Sequence, residues 1–174
     1  MFTTISSETV LEGRVFKVRR DLLESRGRRF VREVVVHPGA VAVIPVDEDG
    51  MLYLVRQYRH AVGGELVEVV AGTLEDESPK ECALRELEEE AGFQASELVK
   101  LAEFYLAPGY STELMHLFLA RGLRRSRQRH EIDEKIKLLK TSLDEAVAMV
   151  LDGVIRDAKT IASLFIYREL AGRV

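Results

Sequence analysis

The sequence predicts an α+β or layered α/β domain, and three observations carry that expectation. Short apolar, β-branched runs recur between turn residues. Three segments with helical periodicity start at Ser78, Ser142 and Asp157. The 174 residues, 47% hydrophobic and 31% charged, suffice for one well-filled core.

Val15–Val36 reads as two extended stretches, VFKVRRDLL and RFVREVVV, around the polar turn SRGR, and His37-Pro38-Gly39 punctuates. AVAVIPV (Ala40–Val46) is a buried-strand run. Asp47–Gly50 is turn chemistry, and Met51–Arg59 is the expected hairpin partner of that run. After a loop at His60–Gly64, ELVEVVAG (Glu65–Gly72) reads as one further strand. The first helix has Ser78 as N-cap, Pro79 at its first position and Glu81 three residues after the cap. Ala83, Leu84, Leu87 and Ala91 recur along it, and Gly92 stops it. LVKLAEFYLA and ELMHLFLARGL follow as strands, then the polar stretch RRSRQRHEIDEK and the short strand IKLLKT. A second helix runs from Ser142, with Glu145 three residues on, to Gly153. A third begins near Asp157.

Composition excludes several classes. No apolar run approaches the ~18 residues of a membrane span. MFTTISSETV has no basic segment leading into an apolar one, so no signal peptide is expected. The single cysteine, Cys82, favours a reducing cytoplasm and reads as inert packing. A net charge of −4 argues against a nucleic-acid surface. The basic cluster Arg121–His130 lacks interleaved aromatics and reads as a solvated loop. The four histidines have no metal-ligand spacing.

The acids are not spread evenly. Between Glu75 and Glu90 stand eight acids against two bases, leaving 21 acids and 23 bases elsewhere. On a helix, Glu86 and Glu90 share a face with Glu89 beside them, opposite a Leu84–Leu87–Ala91 stripe. Arg85 is spaced to pair with both Glu81 and Glu89. Helix spacing alone allows a solvated acidic face or a site for a hard divalent cation such as Mg²⁺.

The flanking residues favour the cation. From Gly72 the chain reads GTLEDESPKECALRELEEEAGF, which closely resembles the Nudix box. Arg85-Glu86-Leu87-Glu88-Glu89-Glu90-Ala91-Gly92-Phe93 matches each fixed position of its helical half. Glu77 stands eight residues before Arg85, as the pattern wants. Gly72 lies five rather than six residues before Glu77, so the loop is one residue short. The resemblance implies a Nudix-type α/β/α sandwich with a mixed sheet over residues 39–174, preceded by a small N-terminal β extension over residues 1–38. It implies Mg²⁺, or Mn²⁺, held by Glu86, Glu90, Glu89 and the carbonyl of Ala71, with Arg85 and Glu89 counted in the catalytic group. Glu75 and Glu77 either flank the ion or pair with Arg85.

Pro108 in FYLAPGYSTELMHLFLA, together with HPGAVAVIPV, VRQYR, ELVEVVAG and GVIRDAKTIASLFIY, is similar to the ADP-ribose pyrophosphatase subgroup, although Val70 stands where many members have proline. The subgroup resemblance implies hydrolysis of ADP-ribose to AMP and ribose 5-phosphate. Alternatives are another nucleoside diphosphate derivative, such as GDP-mannose or a dinucleoside polyphosphate, and a nucleotide sensor that does not cleave. By the same resemblance Arg59 binds the diphosphate, Glu68 a ribose or base donor, and Glu113 the terminal ribose. The base comes from Glu131, Asp133 or Glu134, with Glu134 favoured. The N-terminal strands exchange in a domain-swapped homodimer, where Phe16 stacks on adenine and Arg32 reaches across, unless Phe16 is simply core.

Overall fold

The computed structural model describes residues 1–127 and 136–172. Their strands are β1 (Thr3–Glu12), β2 (Lys17–Ser25), β3 (Arg28–Val36), β4 (Ala40–Pro45), β5 (Leu52–Arg59), β6 (Gly64–Glu68), β7 (Val70–Thr73), β8 (Phe93–Tyr105), β9 (Leu114–Arg125) and β10 (Lys137–Thr141). Their helices are α1 (Pro79–Ala91), α2 (Leu143–Leu151) and α3 (Ala158–Leu170).

β4 is the centre. Every residue in it is buried, and its side chains divide by parity. Val41 and Val43 enter one apolar cluster with Cys82, Ala83, Leu87 and Ala91 of α1. Ala40, Ala42 and Ile44 enter another with Ala146 of α2 and Leu164 of α3. A strand covered on both faces must be apolar throughout, which explains why AVAVIP shows no alternation. The resulting layers are helix, sheet, helix, as expected. The central sheet, in the order β7-β4-β9-β8, is mixed because β4 and β9 run parallel.

Three strand expectations change. β5 is not the hairpin partner of β4. Both edges of β4 are taken by β7 and β9, so β5 opens a second sheet with β10 and β6. Only a single bridge, Val46 to Leu52, joins the two across the Asp47–Gly50 turn. ELVEVVAG is two strands, since β6 pairs with β5 and β7 with β4, and the chain changes sheets at Val69. The Val69 N–H, lost to either ladder, donates to Thr160 Oγ1 at 2.9 Å. Finally, β1 is an added strand that the sequence does not signal. It pairs with β2 but is exposed along its length, so no alternation marks it.

The sheet β1-β2-β3 joins the rest through Val35, whose N–H donates to the Tyr110 carbonyl at 2.7 Å and whose carbonyl accepts from Thr112 N–H at 2.9 Å. Phe2, Ile5, Leu11, Phe16 and Val31 are exposed on it. Phe16, 42% exposed, is not core.

Thr160 is wholly buried and also donates to the α3 cap, Asp157 Oδ2, at 2.6 Å. Thr160→Val removes the acceptor and strands the Val69 N–H. Denaturant unfolding should show a loss of about 1–3 kcal/mol, most of it restored in Thr160→Ser.

Candidate active site

The site forms where β7 turns into α1. Ser78 and Glu81 make a reciprocal cap: Ser78 N–H donates to Glu81 Oε2 at 2.9 Å and Glu81 N–H to Ser78 Oγ at 3.3 Å. This occupies Glu81, so the expected Glu81–Arg85 pair does not form. Gly92, at φ 67°, ends the helix. The face pressed inward is Cys82, Ala83, Leu87 and Ala91. Leu84, expected in that stripe, is only partly buried. With that face fixed, Glu86, Glu89 and Glu90 line a cleft of about 750 Å³ together with Ala71, Gly72, Arg59 and Arg85.

Two contacts set the wall of this cleft. Glu90, 5% exposed, accepts from the Ala71 N–H at 3.1 Å. Gly72 lies so close to α1 that a Cβ there would stand 1.9 Å from Cδ and Oε1 of Glu86. Glycine is needed here for proximity.

Arg85 holds the acids together. Its Nη2 donates to Glu77 Oε1 at 2.6 Å, and its Nη1 donates to Glu86 Oε1 at 2.7 Å and Glu89 Oε2 at 2.9 Å. Hydrogen bonding to Arg85 holds the Glu77 carboxyl below its usual range, and the arginine is pushed up in turn, first by Glu77. Thus Glu77 is a partner of Arg85 despite the short loop, whereas Glu75 is exposed on the cleft wall. Burial, with Glu86 adding to it, pushes the Cys82 thiol up to about 12, so it stays protonated and unreactive.

A second cavity of about 390 Å³ adjoins the first, with Arg59, Ala71, Gly72 and Thr73 common to both. Glu68, Glu113, Asp157 and Lys159 line it. Glu68 is wholly buried and bound twice by Arg59, Nε to Oε1 at 2.9 Å and Nη2 to Oε2 at 2.8 Å, while Lys159 donates to Oε2. Burial raises the Glu68 pKa, but the Arg59 hydrogen bonds and the Lys159 charge more than offset this and hold the carboxyl below its ordinary value.

The structure therefore brings Arg59, Ala71, Arg85, Glu86, Glu89 and Glu90 to one cleft and Glu68 and Glu113 to its neighbour. It leaves Phe16 and Arg32 exposed and off both linings. Arg32 lies over the Phe30 ring at 5.9 Å and donates to the Val31 carbonyl at 2.9 Å. Glu131, Asp133 and Glu134 fall outside the described residues. Sequence reasoning missed Arg14, which reaches the main cleft from the β1–β2 turn, and Lys159. Arg14 carries no sequence signal. Lys159 had one, since it sits two residues after the Asp157 cap.

The donor set fits a hard divalent cation: three carboxylates and the Ala71 backbone on one wall. Among the described residues no three such side chains are already gathered as a cage. Glu86 and Glu89 each give an oxygen to Arg85, and Glu90 gives one to Ala71 N–H.

Residues 36–164 match the model of the NUDIX domain. The chain belongs to the NUDIX family. It is 38% identical to an ADP-ribose pyrophosphatase of Bacillus subtilis, over 90% of this chain and 87% of that protein. It is 41% identical to one of Mycobacterium tuberculosis, over 94% and 81%. A GDP-mannose pyrophosphatase of Citrobacter koseri is 35% identical over 92% of each chain. Among solved structures, the crystal structure of an ADP compounds hydrolase superposes with a TM-score of 0.86 at 30% identity, covering 99% of this chain and 95% of that one. The NUDIX helix of this chain thus keeps its acids on the cleft although its loop is shorter than the family pattern.

Gly72→Ala should displace the Glu86 carboxylate without disturbing the core. Calorimetric titration with Mn²⁺ is expected to show roughly ten- to hundredfold weaker binding, with the melting temperature near that of the wild type. Glu68→Gln removes the negative charge that Arg59 and Lys159 share, and leaves Lys159 with Asp157 alone. The low Glu68 pKa contributes stability above the ordinary Glu range, and that contribution is lost as pH falls through the folded value. The variant should be about 2–3 kcal/mol less stable at pH 7 in chemical denaturation, discounted for the partly exposed Arg59. Its deficit should shrink in acid, as the wild-type carboxyl protonates.

Proposed function

We propose that this NUDIX hydrolase cleaves the pyrophosphate bond of ADP-ribose to AMP and ribose 5-phosphate, using Mg²⁺, with Mn²⁺ as a substitute. The observation that carries the reading is the convergence of Glu86, Glu89, Glu90, the Ala71 backbone and Arg59 on one cleft, in a chain similar to ADP-ribose pyrophosphatases over most of its length. Glu86, Glu90 and the Ala71 carbonyl hold the ion, with Glu89 beside them. When bound, Mg²⁺ offsets the charge of the diphosphate and acidifies the attacking water.

The protein's own groups do the rest. Arg59 takes the diphosphate through its planar, permanently charged guanidinium. Arg85 keeps Glu86 and Glu89 aimed at the cleft, and Glu77 anchors Arg85. Glu113, on the second cavity, accepts from the terminal ribose. Glu134, or Glu131, removes the proton from the water. Residues 1–38 form an exchanged arm in a homodimer, with Phe16 stacking on adenine and Arg32 reaching the nucleotide across the interface. The exposed apolar residues of β1–β3 support such a contact. The working compartment is the cytoplasm, in keeping with one buried, protonated cysteine.

The similarity to a GDP-mannose pyrophosphatase supports a second reading of the same site. Comparison of kcat/KM over ADP-ribose, GDP-mannose and a dinucleoside polyphosphate separates the two. ADP-ribose is expected to lead, and a higher value for GDP-mannose would overturn the substrate assignment. Glu86→Gln and Glu90→Gln should each lower turnover by about a hundredfold or more while the fold survives, the upper end of the range for groups that only support a metal ligand. Tight ADP-ribose binding by the wild type without AMP release would instead favour a sensor.

A further inference from the structure

Arg59 carries five N–H donors, and Glu68 engages two of its nitrogens, Nε and Nη2. Its side chain is 39% exposed and faces both cavities, whereas the Glu68 side chain is 1% exposed. A carboxylate held by Arg59 alone would cancel the charge that a diphosphate needs. Glu68 is not held by Arg59 alone. Lys159 binds the same carboxylate from α3, with its own side chain 11% exposed. The second partner of Lys159, Asp157 at 2.9 Å, is the N-cap of α3. Asp157 accepts from Thr160 N–H at 3.0 Å, so the helix N-terminus offsets its charge. The two cations and two carboxylates therefore balance, with the helix N-terminus adding a partial positive charge, and of the two cations Arg59 is the one that lines the main cleft.

We infer that Lys159 is a positioning residue for the diphosphate: by sharing Glu68 from α3 it fixes the Arg59 guanidinium and leaves its charge available to the substrate. This rests on the reading of the main cleft as a diphosphate site. Lys159 acts through Arg59 and not by touching the reacting atoms. It also ties α3 to the point where the chain changes sheets, one residue before Val69.

The test is a double-mutant cycle on inorganic pyrophosphate binding in Mg²⁺, measured by calorimetry on the full chain. Lys159→Met should weaken binding about tenfold in the wild-type background but less than about twofold when Arg59 is already methionine, since a residue acting through Arg59 has nothing left to act on. Lys159→Arg, which keeps the charge, should restore affinity to within about threefold. Lys159→Gln, expected to lose as much as Lys159→Met, replaces it if the methionine variant does not melt cooperatively. Unchanged affinity, equal losses in both backgrounds, a Lys159→Arg variant as weak as Lys159→Met, or a wild type that does not bind pyrophosphate would each overturn the inference. Hydrolysis of ADP-ribose by the wild type is followed separately. Its absence would count against the substrate reading while the pyrophosphate cycle still decides the role of Lys159.

Discussion

The N–H of Val69 belongs to neither sheet, and its bond to Thr160 Oγ1 is what lets the chain leave β6 for β7 without stranding a buried donor. The rest of the site depends on that change of sheets. One residue before it, Glu68 faces Arg59 and Lys159. Two and three residues after it, Ala71 and Gly72 meet Glu90 and Glu86. A single straight strand would carry the whole segment in one ladder and could not present both neighbourhoods to adjoining cavities. The helix that supplies Thr160 therefore serves the active cleft from the opposite side of the sheet to α1.

Charge is the second constraint. Packing Glu77, Glu86, Glu89 and Glu90 around one helix face puts like charges at short range, where they disfavour one another. Arg85 relieves this with three carboxylate partners, each reached from a partly buried position. Glu68 solves the same problem in reverse, as one buried carboxylate between two cations. Both arrangements keep their charged forms by hydrogen bonding. The mild overall acidity is thus the trace of one helix and its loop, since the remainder of the chain is slightly basic.

What could be read from the sequence follows from what each feature needs. α1 was legible because cap, period and stop are local. β4 was legible as buried because both faces need apolar side chains. Its partners were not, because an apolar run does not record which edges are taken. The break at Val69 was hidden for the same reason: the compensating acceptor lies 91 residues further on. β1 left no periodic trace because neither of its faces is covered within the chain. The cleft acids were visible as a pattern, whereas the Glu68–Lys159 contact joins two elements that share no local signal.

The shortened loop before Glu77 shows which parts of the pattern are rigid. Glu77 acts through a side-chain bond to Arg85, a long guanidinium with several donors, so a residue lost from the loop is absorbed by two flexible side chains. Gly72 has no such freedom. Its Cα sits against Glu86 at a distance fixed by β7 pairing with β4 on one side and by α1 packing on the other. Loop length between Gly72 and Glu77 can therefore vary while the site keeps its geometry. The glycine itself is set by the Glu86 side chain, which fills the space a Cβ would take, and no rearrangement of the loop relieves it.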